Sequence, residues 1–303
     1  MRTISLRAVA RMAAAALVAA CMLASTAAPS AALGFPMRVL VTNDDGVGAE
    51  GISVLVAHLS AIRGLEVDVV APATNQSGTG DNYSTTPLDV FSSMTAAGHP
   101  ATAVRGFPSD ATLWGTLSGQ VSKPDLIVSG INFGQNIAEA VTISGTVGAA
   151  LTGARMGIPG FAVSQGLAQN ISYEDAAVYT AQLVERFRSS ATFRRLLTQT
   201  RVRGRARILN INFPSCTEGS LRGVRVAIVG RATRVVGYEQ TDPGVWTPTI
   251  ERTPVGSNDC RSVLRDPRTD LEAMNNGFAS VTMLNPDLTN DEGTLAVRRY
   301  VEQ

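Results

Sequence analysis

A chain of 303 residues and 31.8 kDa has room for one large α/β domain or two small ones. It is 45% hydrophobic and 17% charged, enough to bury a sizeable core, and its net charge of +1 excludes a protein that coats nucleic acid. With only two histidines, His58 and His99, and three cysteines, a His- or Cys-rich zinc site is excluded, so any metal would be held mainly by oxygen.

Residues 1–43 lack Asp and Glu but carry Arg2, Arg7, Arg11 and Arg38. The first three precede an apolar run at 12–24 and a small-residue stretch at 25–32, the make-up of a secretory signal peptide over residues 1–32, with cleavage options after Ala27, Ala31 or Ala32. The apolar run is too short to span a bilayer, so no membrane span is expected. Without the three arginines the formal charge turns from +1 to −2. Val18-Ala19-Ala20-Cys21 resembles a lipobox, which would make Cys21 a lipid-bearing N-terminus and the chain an anchored lipoprotein. The other reading is an incidental cysteine in an Ala-rich leader. Either way the chain leaves the cytosol, and Cys216 and Cys260 form an even pair available for a disulfide.

The remainder alternates between strand and helix. Residues 37–43 read as a strand, and Ile52, Leu55, Val56, Leu59 and Ile62 follow helical spacing up to a stop at Gly64. A second strand at 67–71 closes at Pro72. Residues 72–98 form a Gly/Ser/Thr/Asn-rich segment too long for filler. Strands follow at 126–130 and 160–164, with a small-residue helix at 146–157 between them and a helix at 173–197 after them. Such units imply a mostly parallel sheet covered on both faces: an α/β, Rossmann-like three-layer sandwich over residues 37–204. Residues 205–303 read as a β-rich C-terminal extension, with strands at 208–213, 224–229 and 278–284 and weak periodicity at 231–276. Arg201, Arg203, Arg205 and Arg207 alternate, as on one face of a strand.

Ligands of open α/β sheets bind beyond the carboxyl ends of the strands. The first strand ends in Asn43-Asp44-Asp45-Gly46, whose adjacent carboxylates repel and are natural partners of a cation; a solvated turn is the commoner role of such a dipeptide alone. The second leads into Asn75-Gln76-Ser77-Gly78. The strand at 126–130 ends in Gly130-Ile131-Asn132-Phe133-Gly134-Gln135-Asn136, and Ser144-Gly145-Thr146 stands at a helix start, where N–H groups and hydroxyls suit a phosphate. Together these offer carboxylate, hydroxyl and amide oxygens, a hard-ligand set for Mg²⁺, Mn²⁺ or Ca²⁺. Phe133 and Tyr83 are expected as packing residues, with stacking on a nucleobase the alternative, and Ser109 and Asp110 as a helix N-cap, with framing the pocket the alternative.

Taken in order, these four motifs, with Ala71-Pro72 before the second and Val147 after the fourth, resemble the motif series of the SurE family of metal-dependent 5′/3′-nucleotidases, also described as acid phosphatases. The match runs over residues 37–165, then weakly through Asp270 and 277–284, and the 75–80 stretch is closest to secreted members. The resemblance implies Asp44, Asp45, Ser77 and Asn132 as ligands of one divalent cation per subunit, and Asn136, Ser144, Gly145 and Thr146 as the phosphate site. It implies Asp44 and Asp45 as the catalytic pair, with Asp44 a base, a nucleophile or a ligand only. It further implies hydrolysis of a small nucleotide or phosphomonoester, with no nucleic acid duplex as partner, in a homodimer or homotetramer built through the C-terminal part. Thr79-Gly80-Asp81-Asn82-Tyr83-Ser84 and Gly106-Phe107-Pro108-Ser109-Asp110-Ala111 depart from the family pattern and bear on substrate preference. Two other classes compete. A receiver-like signalling domain would need a phosphoacceptor Asp ending a central strand, where this chain has Ser129-Gly130-Ile131-Asn132, and Lys123 precedes that strand. A non-catalytic extracytoplasmic nucleotide- or phosphate-binding protein would bind without turnover.

Overall fold

The structure is a computed structural model and describes residues 36–199, 204–216, 218–252 and 258–287. The signal peptide, Cys21, Arg201 and Arg203 lie outside the described residues. One mixed sheet of nine strands organises the chain, in the spatial order β3-β4-β2-β1-β5-β6-β7-β11-β8. Its strands are β1 (Met37–Thr42), β2 (Leu65–Pro72), β3 (Val90–Met94), β4 (Pro100–Val104), β5 (Leu126–Phe133), β6 (Gly160–Gln165), β7 (Ile208–Phe213), β8 (Val224–Val226) and β11 (Ala279–Leu284). All neighbours pair in parallel except β3 with β4 and β7 with β11. A separate antiparallel ribbon joins β9 (Thr233–Asp242) to β10 (Val245–Arg252).

The alternation of β1 builds two cores. Val39 and Val41 face one side, where α1 (Glu50–Ser60) contributes Ile52, Leu55, Val56 and Leu59, and α4 (Glu174–Ser189) contributes Ala176, Ala177, Leu183 and Phe187. Leu40 faces the other side, against Ala111 of α2 (Pro108–Leu117). Nearby, α3 (Gly145–Arg155) packs Val147, Ala150 and Ala154 on Ala162 and Ile208. Small residues let α3 approach closely: a Cβ on Gly153 would stand 2.0 Å from Ile127 Cδ1. The Rossmann-like three-layer sandwich is therefore present, and β7, β11 and β8 continue its sheet.

Several local expectations change. The helix expected over 173–197 breaks at Ser190, whose Oγ accepts from the Phe193 N–H at 3.2 Å and starts α5 (Ala191–Thr198). Arg205 and Arg207 precede β7 and do not lie on a strand; Arg207 donates to the Leu196 and Gln199 carbonyls. Tyr83 and Phe133 are 61% and 59% exposed and are not packing residues. Phe107, not Ser109 or Asp110, is the N-cap of α2. Asp110, three residues on, accepts from the Phe107 N–H at 2.8 Å and also holds Ser84 through its N–H and hydroxyl, while the Ser109 hydroxyl accepts from Thr152 at 3.0 Å. A short helix, α6 (Asp270–Asn275), precedes β11. Among the described residues no helix is long and apolar enough to cross a membrane.

Cys216 and Cys260 are joined, with their Cα atoms 5.7 Å apart, closing 44 residues of chain. In the chain-entropy account a loop of that length restrains the unfolded state by up to about 4 kcal/mol. Reduction is expected to lower the guanidinium midpoint by a corresponding amount; an unchanged midpoint after complete reduction would show that the bridge contributes nothing.

Candidate active site

The turn after β1 is set by Asn43, whose side chain donates to the Gly46 carbonyl at 2.8 Å and accepts from the Gly46 N–H at 3.2 Å. That lock fixes the two carboxylates that follow. Asp44 is 2% exposed and points at the amino end of α3, where the Thr146 hydroxyl donates to its Oδ1 at 2.6 Å. A Cβ at Gly145 would lie 2.7 Å from the Asp44 Cβ, so only glycine permits this approach. Burial pushes the Asp44 carboxyl up, opposed by the Thr146 hydroxyl and the N–H groups of Thr146 and Gly145. Asp45 accepts from the Phe133 N–H at 2.8 Å through Oδ2. Burial, helped by the neighbouring Asp44 charge and opposed by that N–H, pushes its carboxyl up to about 6.

The four polar clusters expected at the strand ends come together. The 75–80 loop is tied to the first by the Gln76 N–H on the Asp44 carbonyl at 2.7 Å, and to the fourth by the Gly80 N–H on the Ile143 carbonyl at 2.9 Å. Ser77 sits on that loop, exposed, its N–H on the Asn75 Oδ1 at 2.9 Å. Asn132, next to the Asp45-bound Phe133, is buried and donates to the Gly134 carbonyl at 2.6 Å. Asn136 donates to the Thr146 hydroxyl at 3.2 Å and to the Ser164 hydroxyl at 2.9 Å. Ser144 caps α3, accepting from the Val147 N–H at 3.1 Å. In this structure the side chains of Asn136, Ser144 and Thr146 thus hydrogen-bond within the protein: Thr146 touches Asp44, Asn136 stands behind Thr146, and Ser144 bonds within α3.

Two supports lay outside the sequence-derived site. Asn212 Oδ1 accepts from the Asn136 N–H at 2.7 Å, and Asn210 and Asn212 both donate to the Asn136 carbonyl, at 2.8 and 3.2 Å. The signal was available: two amides alternate with Ile211 in a strand buried along its whole length. Tyr173 is the second. It is 6% exposed, and burial together with the charges of Asp45 and Glu50 pushes its phenol up to about 12, which places its hydroxyl in their field. Asp45, Glu50, Asn75, Phe133, Gln169 and Tyr173 share the wall of a cavity of about 460 Å³.

The donor chemistry suits a hard cation. No Lys, Arg or His pairs with Asp44 or Asp45 among the described residues, so two neighbouring carboxylates share a buried corner with only neutral donors. Among the described residues no three His, Cys, Asp or Glu side chains cluster, so oxygens from Ser and Asn would complete the set.

An open, mostly parallel α/β sheet with acidic, amide and helix-terminal groups gathered beyond its strand ends defines a ligand-binding α/β protein of the doubly wound class. The family profile described as Survival protein SurE matches residues 39–235, and the chain belongs to the SurE family. It is 35% identical to a 5′-nucleotidase SurE of Chloroflexus aggregans, over 87% of this chain and 99% of that protein. A 5′/3′-nucleotidase SurE of Cronobacter sakazakii is 34% identical, over 88% and 96% respectively. The crystal structure of the SurE protein from Aquifex aeolicus superposes with a TM-score of 0.66 at 29% identity, covering 88% of this chain and all of that one.

An acid whose pKa rises on folding removes stability as pH climbs past its unfolded value of 3.8 towards 6. Asp45→Asn, with chelator present, should therefore stabilise the protein at pH 7.5 by about 1–2 kcal/mol, a figure discounted for the partial exposure of Asp45. The gain should vanish near pH 4. Equal melting temperatures for variant and parent at pH 7.5 would show that the Asp45 charge carries no such burden.

Proposed function

We propose that this chain is a divalent-metal-dependent phosphomonoesterase that converts nucleoside 5′- or 3′-monophosphates to nucleoside and phosphate. The observation that carries this reading is Asp44, buried against the amino end of α3, with the half-buried Asp45 beside it and no cationic partner for either among the described residues, in a chain whose relatives are named nucleotidases. Asp44, Asp45, Ser77 and Asn132 would hold one Mg²⁺, Mn²⁺ or Ca²⁺, which when bound supplies Lewis-acid polarisation of a phosphoryl oxygen.

The protein's own groups account for the rest. Thr146 fixes the Asp44 carboxylate through a short hydrogen bond, and Asn136 fixes Thr146 in turn. A carboxylate so enclosed is suited to holding a cation and not to attacking phosphorus, so we assign Asp44 the role of fixed ligand. Asp45, more open and held through one oxygen by Phe133, is the carboxylate better placed to take a proton from an attacking water. The N-terminal groups of α3, with Asn136, Ser144, Gly145 and Thr146, favour the negative charge of a phosphate beside them.

Phosphate release from AMP and p-nitrophenyl phosphate is expected with Mg²⁺ or Mn²⁺ and should stop with EDTA. Asp44→Asn should lower kcat/KM by at least about a hundredfold while leaving the fold intact. Metal-dependent nucleotide binding without phosphate release would mark the chain as a binding protein instead.

We further read the chain as exported, by cleavage within residues 1–32 or by an anchor at Cys21. The Cys216–Cys260 bridge supports this, since disulfides persist in oxidising compartments. We read it also as a homodimer or homotetramer assembled through the C-terminal segment 205–303. The β9–β10 ribbon supports that: two strands alone are marginal in water, and this pair leaves Val235, Tyr238, Val245 and Trp246 exposed. Light scattering should show an oligomer that Tyr238→Asp with Trp246→Asp dissociates; an oligomer unaffected by both changes would place the contact elsewhere.

A further inference from the structure

The cavity beside Asp45 is formed on one side by the end of β5 and on another by the loop between β6 and α4. Phe133 is the last residue of β5. Its N–H is committed to Asp45, which fixes its backbone, while its ring remains 59% exposed on the cavity wall. The protein thus leaves most of an aromatic ring open on a wall it shares with the carboxylates of Asp45 and Glu50. The opposing loop is held in register by the Gly134 N–H on the Gln165 carbonyl at 2.9 Å and the Leu167 N–H on the Gln135 Oε1 at 3.1 Å. It brings Gln169 and the start of α4, with Tyr173, to the same space. Glu50, the first residue of α1, and Asn75, from the loop tied to the Asp44 carbonyl, complete the lip. At about 460 Å³ the cavity falls within the range of about 300–1,000 Å³ typical of small-molecule sites.

We infer that this cavity takes the nucleoside half of the substrate, with the base stacked on Phe133 and the ribose hydroxyls on Glu50. The inference rests on the nucleotidase reading and assigns it a recognition wall. A π-face accepts any base, whereas carboxylates pair with ribose hydroxyls and side-chain amides, as at Asn75 and Gln169, match the edges of bases. Asp45 belongs to both spaces, so a nucleoside lying on Phe133 carries its phosphate towards the carboxylate corner and α3. The groups that handle phosphate are buried in a fixed network, while those assigned to the nucleoside are mostly exposed. Phe133 therefore supplies base-tolerant stacking, base preference is set at Asn75 and Gln169, and hydrolysis at the carboxylates.

Calorimetric titration of adenosine into the purified full chain with Mg²⁺ tests this. Saturable binding is expected, weakened about tenfold in Phe133→Ala, the loss of one base-stacking contact. Phe133→Tyr, which keeps the ring, should restore it to within about twofold of the parent, separating stacking from a structural defect. Glu50→Gln should reduce the preference for adenosine over 2′,3′-dideoxyadenosine. Equal affinity for adenosine in the parent and Phe133→Ala overturns the assignment, as does absence of binding at about 10 mM, a concentration well above that of weak specific sites. A preserved ribose preference in Glu50→Gln overturns the ribose contact. Adenosine carries no phosphate, so the titration reads the cavity alone. Failure to release phosphate from any ester would remove the hydrolase reading without deciding this one, and a fully active hydrolase indifferent to Phe133→Ala would do the reverse.

Discussion

Asp44 and the amino end of α3 meet at one short hydrogen bond, from the Thr146 hydroxyl to Oδ1 at 2.6 Å, and the geometry around it is built to make that meeting possible. The carboxylate is almost wholly buried and, among the described residues, has no cationic side chain to offset it. An ionised group in such a place is costly unless donors or an external charge compensate it. Three conditions follow from the contact. The residue before Thr146 must lack a side chain, because a Cβ there would collide with Asp44. The turn at 43–46 must be rigid, which Asn43 ensures, and α3 must be capped by its own serine so that its end does not fray.

The strand on the far side of β6 supplies the stiffness behind this corner. Asn136 is gripped through both its N–H and its carbonyl by Asn210 and Asn212, so its side chain is presented to Thr146 and Ser164 without rotational freedom in its backbone. Buried amides in such a chain are each worth about 1 kcal/mol when paired and cost more when left unpaired. The path from β7 through Asn136 and Thr146 to Asp44 therefore makes a C-terminal strand a structural partner of the first strand's carboxylates. Asp270 does the same for the segment before Ser144. Buried at the start of α6, it accepts from the N–H groups of Leu271, Gly230 and Ala138, and so joins the C-terminal helix to the turn that leads into α3.

What the sequence made legible was local. Strand β1 with its Asp pair, the apolar stripe of α1 and the four polar clusters can be read because turn residues and apolar periods act over a few positions. The sheet order turns those clusters into neighbours, and the strand-end rule anticipates that much. Asn210 and Asn212 were read only as strand, since their role depends on β7 lying beside β6 and on the distant Asn136 reaching across. Helix α2 buries Ser109, Asp110 and Thr112 alongside its few apolar residues and so declares no face, and the β9–β10 ribbon lacks a buried side, so neither has the period that marks its kind. Phe133 was misplaced for a related reason. An aromatic at the end of a buried strand reads as core, and only the bond from its N–H to Asp45 shows that the chain has already left the core there.

A near-neutral chain, with a formal net charge of +1, cannot attract an anionic ester by its overall field, so attraction has to be produced locally. The structure offers a corner where like charges are concentrated and left uncompensated, and that is an invitation to a cation before it is an invitation to a phosphate. In the enzyme proposed above, affinity for the anion would depend on the cation's arrival: the same two carboxylates that would repel a phosphate when bare would attract it through the bound charge. The burial that raises both Asp44 and Asp45 is then the source of that dependence. A pair of solvated carboxylates would lose less on remaining empty and would gain less from a cation, whereas these two are destabilised by their own enclosure and would gain more from one.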